Sequence, residues 1–249
     1  MKYLNRFMKW YLGENDVEKE PPKGGFFRIL YLVVNFPGKL FMINIVFIIS
    51  CIPLITIPAA WTALCAFTGK MFLKGYDFTL EDYLAEFKDG FIKKLVLGIM
   101  ESAVIFYGYY LMSFAGNFKA VSDNTSYVII MGAGCAIFGI GILFAAWTFV
   151  LAAHLRLGLS GIIRNAAILL ILEWKSSLKL IIYTAIYLFI ILALMPYSIL
   201  VPMIIGNSLY GLISCSIICP VIKRRITDPY EEAVKTSTST YWRRIDRDV

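Results

Sequence analysis

The sequence predicts an all-α, polytopic helical membrane protein, and three observations carry that prediction. Apolar residues make up 59% of the chain and charged residues only 16%, with a mean hydropathy of +0.71. Soluble domains carry roughly 25% charged residues. The charges cluster between long apolar runs, the pattern of helices whose backbone polar groups must be closed internally in hydrocarbon. The residue alternation of a membrane β-barrel is absent. About six spans are expected, or four if an elbow at 53–58 is re-entrant, plus interfacial amphipathic helices. A single integral membrane domain covers 1–249, with 1–38 as interfacial helices and linker, 39–222 as the bundle, and 223–249 as a polar tail.

The bundle is organised around Asn44 to Ala63, an apolar run broken by Pro53 and Pro58. Proline removes a backbone donor and clashes with the preceding turn. Two short helices, about 41–57 and 59–73, therefore meet at the elbow Pro53-Leu-Ile-Thr56-Ile-Pro58. Upstream, residues 1–12 place Tyr3, Leu4, Phe7, Met8 and Tyr11 on one face and basic residues on the other, as in a helix lying among headgroups. Residues 14–25 read as a linker. Phe26 to Phe36 stops at Pro37-Gly38, too short to span, and reads as a second interfacial helix or an elbow leading into the hairpin.

Downstream of the elbow, Gly69 to Lys94 is charged. Thr79 and Asp82 have capping-box spacing, and Leu80, Tyr83, Leu84, Phe87 and Phe91 form an apolar stripe. Further spans are expected at Leu95–Gly116, Tyr127–Ala153, Leu178–Met195 and Ile199–Val221. The second of these is glycine-rich, and Gly141 with Ala145 would admit a neighbouring helix closely. A second basic connection, 153–179, holds an apolar run, Ile162–Leu172, too short to cross.

Of the 24 lysines and arginines, 23 fall in the N-terminal 40 residues, the 69–94 and 153–179 connections and the tail. Only Lys119 falls in a turn on the opposite side. Basic residues mark the cytoplasmic side, so both termini are expected there, in the cell membrane. The same logic makes the net charge of +7 a matter of topology and headgroups, not of nucleic acid.

The residues Asn44, Pro53-Leu-Ile-Thr56-Ile-Pro58-Ala-Ala60, Ala63 and Phe78, then Phe87-Lys88, Phe91 and Lys94, resemble the YesL-like family of bacterial integral membrane proteins. That family reads approximately Leu-Asn, then Pro-Ile-Val-Thr-Ile-Gly and Ala-Leu, then Phe-x-x-x-Phe-Lys-x-Asn-Phe. The resemblance covers about residues 40–98, with a weaker echo at Arg164-Asn165-Ala166. Pro58 stands where glycine is usual, and Gly90 where asparagine is usual. The resemblance implies a membrane protein of Firmicute-type bacteria, commonly encoded beside carbohydrate ABC transporters and their sensor kinases.

Among polar residues, Glu101 lies about two turns inside a span, where a carboxylate is a functional candidate or a protonated or paired helix-gluing group. Asn44 reads as an interhelical hydrogen bond. His154, the only histidine, reads as an interfacial side chain at the mouth of a span. Phe87, Lys88, Phe91, Lys93 and Lys94, with Arg164, Asn165 and Trp174, form a candidate cytoplasmic docking surface. Trp10, Trp61, Trp147, Trp174 and Trp242 read mostly as an aromatic belt. The five cysteines lie in apolar segments and read as inert packers. No phosphate loop, metalloprotease helix or nucleophile elbow is present, so no cofactor, metal or enzymatic activity is expected. The expectation is a non-enzymatic accessory of an ABC permease or sensor kinase in the lipid bilayer; the alternative is a small transporter or channel.

Overall fold

The computed structural model describes residues 25–74, 79–119, 126–193 and 202–230. The 1–12 helix, most of the tail, Phe78, Trp10, Trp242 and the 196–198 turn lie outside them. Helix α1 spans Gly25–Asn35 and α2 spans Pro37–Ser50, with an 85° bend between them. Pro37 sits in the first turn of α2, where its missing N–H costs nothing, and it pushes Phe36 out of helical conformation. After a 3₁₀ turn at Leu54–Thr56, α3 runs Ile57–Lys74. Helix α4 is Leu80–Lys88, α5 Phe91–Lys119, α6 Ser126–His154, α7 Leu159–Leu172 and α8 Trp174–Ala193. A π-turn at Pro202–Gly206 leads into α9, Asn207–Ile222. No strand occurs among the described residues.

Five of these helices are long and apolar enough to cross a membrane, or six if the bent α1–α2 pair counts as one span. The chain is thus a polytopic helical membrane protein. Several boundaries differ from the sequence reading. The first short helix starts at Pro37 and ends at Ser50 rather than covering 41–57. The last helix does not end at Pro220: it continues through a π-turn at Lys223–Thr227 to Tyr230. Pro220 lacks only its own N–H; its carbonyl still accepts from the Lys223 N–H, so the helix runs on past it.

Helix α3 is the central strut, with α1, α2, α4, α5, α6 and α9 all in contact with it. On one side Leu40, Ile43, Leu64, Phe67, Phe72, Tyr83 and Leu212 form a buried cluster. On the other, Cys65, Leu97, Trp147, Leu151, Ile162, Leu180 and Ile218 form a second. The Trp147 indole is fully buried and donates to the Ser177 hydroxyl at 3.2 Å. It belongs to the core, not to an interfacial belt. Trp61 likewise packs inward, against Phe47 and Tyr210. Large apolar side chains such as Phe106, Ile129 and Phe189 point outward, as a lipid-facing surface requires.

The elbow's depth follows from its contacts. A Cβ on Gly98 would sit 2.1 Å from the Pro58 ring, so α3 begins directly against α5 at that level. Gly98 is seven residues into α5, roughly 10 Å along it, with 21 residues, roughly 31 Å, still to follow. The Tyr83 hydroxyl of α4 donates to the Ala60 carbonyl at 3.4 Å, fixing the same end of α3 to the charged connection. Ile52, Leu54 and Ile55 at the tip are exposed and apolar, and the Thr56 hydroxyl folds back on the Ser50 and Pro53 carbonyls.

Candidate functional site at the basic mouth of the bundle

The capping box at Thr79 is present: Asp82 accepts from the Thr79 backbone N–H at 2.9 Å, and Thr79 accepts from the Asp82 N–H at 3.4 Å. The Thr79 donors hold the Asp82 carboxyl below its ordinary range. The box sets α4 so that Tyr83 is buried and Phe87 and Phe91 follow it inward, with ring centroids 6.4 and 5.8 Å apart in sequence. Gly90, at φ +59°, turns the chain from α4 into α5. Glycine and asparagine adopt that left-handed conformation most readily.

This turn delivers Lys93 and Lys94 to a cleft of about 380 Å³ that is also lined by Lys70, Glu86, Asp89, His154, Arg156, Leu157 and Ile162. Lys94 is buried and pairs with Glu86 at 3.4 Å. The Lys93 ammonium donates to the Leu157 carbonyl at 3.0 Å, joining the two basic connections that the sequence left separate. His154 does not reach outward as an interfacial side chain. Its Nδ1 lies 3.0 Å from the Val150 carbonyl and its Nε2 3.5 Å from the Cys219 thiol. Gly69 makes room for it: a Cβ there would lie 2.1 Å from Nε2.

Of the expected docking residues, Lys93 and Lys94 line this cleft and the others do not. Phe87 is half-buried, Lys88 is exposed, and Arg164, Asn165 and Trp174 do not line the cleft. The reason is the period of α7: Ile162, Ala166 and Leu169 face the core, which turns Arg164 to the outside. Asn165 bonds its own helix at the Gly161 carbonyl. Trp174 is 61% exposed at the start of α8, past the far end of α7, which runs on roughly 15 Å beyond Ile162 of the cleft.

Asn44 is fully buried, and its Oδ1 accepts from the Ser208 backbone N–H at 3.1 Å. It ties α2 to the start of α9 through that backbone N–H. Asn44→Leu is expected to destabilise the bundle by about 1–3 kcal/mol, the range for a stranded buried donor. Equilibrium unfolding in mixed micelles measures this. Glu101 is buried between α5 and α6. The Thr148 hydroxyl lies 3.1 Å from its Oε1 and 3.0 Å from the Ala145 carbonyl, and Oε2 has no partner among the described residues.

At the far end of α7, Glu173 accepts from Arg224 at 2.7 Å and Arg225 at 2.8 Å, anchoring the extension of the last helix. Hydrogen bonds from Arg225 and Arg224 hold the Glu173 carboxyl below its ordinary range. A carboxyl with a depressed folded pKa stabilises fully above its unfolded value, about 4.3, and the contribution is lost as pH falls through the folded value. Both arginines stay in contact with water, so about 0.5–1 kcal/mol is expected. Thermal scans from about pH 6 to about pH 3 should show this loss, and Glu173→Gln should remove that part of the slope.

Sequence reasoning missed one cluster. Cys215 donates to the Cys65 carbonyl at 3.3 Å and lies 3.5 Å from the Thr68 hydroxyl, beside the Cys219–His154 contact. The i, i+4 spacing of Cys215 and Cys219 was the available signal. No three His, Cys, Asp or Glu side chains among the described residues are placed to hold a metal ion.

Fold and site together define a multi-pass helical membrane protein with a basic, partly internally paired mouth. A family model described as a protein of unknown function, DUF624, matches residues 40–112, from α2 through the elbow and α4 to most of α5. No curated protein and no solved structure matches the chain.

Proposed function

We propose that this chain is a YesL-like, non-enzymatic accessory protein of the bacterial cell membrane, serving carbohydrate ABC transport or its sensing. The reading is supported by the match at 40–112 together with the resemblance there. The observation that carries it is the Lys93–Leu157 contact, which unites both basic connections into one platform for a membrane partner. In this reading α5, α6, α8 and α9 cross the bilayer, and α2–α3 re-enters from the cytoplasmic side, where both termini lie. The apolar elbow tip and its contact with the first third of α5 support the re-entrant arrangement.

Co-purification of a tagged copy with an ABC permease or sensor kinase, weakened by Lys88→Glu on the exposed rim, is the expected result. Repeated recovery of the protein alone in mild detergent would sink the reading. A second reading, a small transporter, is favoured by the unpartnered Glu101 oxygen inside the bundle. Liposome flux of sugars or ions that Glu101→Gln abolishes would select it.

A further inference from the structure

We propose that the groove between α1, α8 and α9 binds an anionic phospholipid, its phosphate held by Lys179 and Arg224. The inference rests on α8 and α9 being long and apolar enough to span a membrane, and stands without the accessory reading. The groove encloses about 570 Å³, and two cations but no carboxylate line it. Glu173 pairs with Arg224 and Arg225 from outside the groove, so one carboxylate answers two guanidiniums there. Lys179 adds a third cation, with no partner among the described residues. The Ser176 and Tyr183 side-chain hydroxyls line the same groove and have none either. Ser216 is different, because its hydroxyl donates to the Ile213 carbonyl at 2.7 Å. Three donors thus line a concavity that offers them no anion.

Like charges facing one concavity repel each other unless an anion joins them. The walls select an amphiphile over a hydrated ion, because Ile29, Ile217 and Val221 are apolar. Position agrees with this. Trp174 and Lys175 at the start of α8, and Lys223 to Arg225 past the end of α9, are exposed and mark the headgroup layer. Ile181 and Ile182, just beyond Lys179, are exposed apolar side chains where hydrocarbon begins. Tyr183 lies roughly 10 Å along α8 from Ser176, so the groove runs from headgroup to acyl chain. The phosphate meets Lys179 and Arg224, the Ser176 and Tyr183 hydroxyls donate to phosphate and ester oxygens, and an acyl chain follows Ile217 inward. Glu14, Asp16, Glu18 and Glu20 precede Gly25 of the groove in the chain. A charged segment would leave the apolar walls unfilled, whereas a lipid covers both ends.

In the test, the full chain in detergent micelles is titrated with phosphatidylglycerol or phosphatidylcholine, and native mass spectrometry counts the bound lipid. Phosphatidylglycerol should bind in preference. Lys179→Gln should weaken it about tenfold, as loss of a charge-assisted hydrogen bond does, and Lys179→Arg should retain it. Tyr183→Phe should weaken it about threefold, as loss of a neutral hydrogen bond does. Arg164→Gln removes an exposed cation on α7 and should change nothing. Glycerol 3-phosphate, which has no acyl chains, should not compete. Equal binding of the two lipids overturns the site, as does binding that Lys179→Gln leaves intact, that Arg164→Gln weakens equally, or that glycerol 3-phosphate displaces. A several-fold gain in Glu18→Gln/Glu20→Gln would show the chain's own linker filling the groove, and overturns the lipid as its occupant.

Discussion

Trp147→Ala is expected to destabilise the protein by about 3–5 kcal/mol, the range for removing a large, fully buried aromatic side chain. Trp147 is the largest fully buried side chain among the described residues. It fills the junction where Leu97, Val150, Leu151, Ile162 and Leu180 converge from four helices. Lipid tails are as apolar as the core, so the loss arises from forfeited packing contacts rather than from exposure to water. Truncation also strands the Ser177 hydroxyl as an acceptor, although that group still donates to the Leu170 carbonyl at 3.0 Å. Trp147→Phe should therefore recover more than half of the loss. Unfolding titrations in mixed micelles give both numbers, and an alanine variant within about 1 kcal/mol of the parent would place this indole outside the core.

Gly108→Ala is expected to loosen the α5–α6 pair by about 3 kcal/mol, at the upper end of the overpacking range. A Cβ at Gly108 would lie 2.6 Å from the Phe138 backbone nitrogen and 2.9 Å from its Cα. Backbone cannot swing aside as a side chain does, so the helices must separate. The same substitution improves helix propensity by roughly 1 kcal/mol, which offsets only part of the clash. Gly139→Ala is the counterpart, because nothing lies within 4 Å of its added carbon. It should be neutral or stabilising by up to about 1 kcal/mol. Opposite signs at these two glycines, read as shifts in thermal midpoint, are the expected result; equal destabilisation would show that close approach is not what Gly108 provides.

The two sites show what a single chain reading can see. Gly141, singled out by its spacing with Ala145, does meet α5, at Ile105 and Val104. The tighter crossing at Gly108 has no partner visible in sequence, because its neighbour is thirty residues away and its clash is with backbone. Trp147 near a span end looked like a belt residue; which side of α6 faces the core depends on where α3, α7 and α8 pack. Asn44 and the Thr79–Asp82 box were legible because each rests on a local rule. A lone polar residue in hydrocarbon needs a partner, and a cap needs a carboxylate three residues on.

Sequence by itself determined the solvent, the helical class, the proline elbow and the asymmetric distribution of cations, because all of these follow from composition and local backbone chemistry. Only the tertiary structure decided that the elbow stops beside Gly98, that His154 turns in toward Cys219, and that Lys70, Lys93 and Arg156 line one cleft. Helix packing sets those distances, and residues up to 86 positions apart along the chain acquire a common environment only when α3 packs against its neighbours.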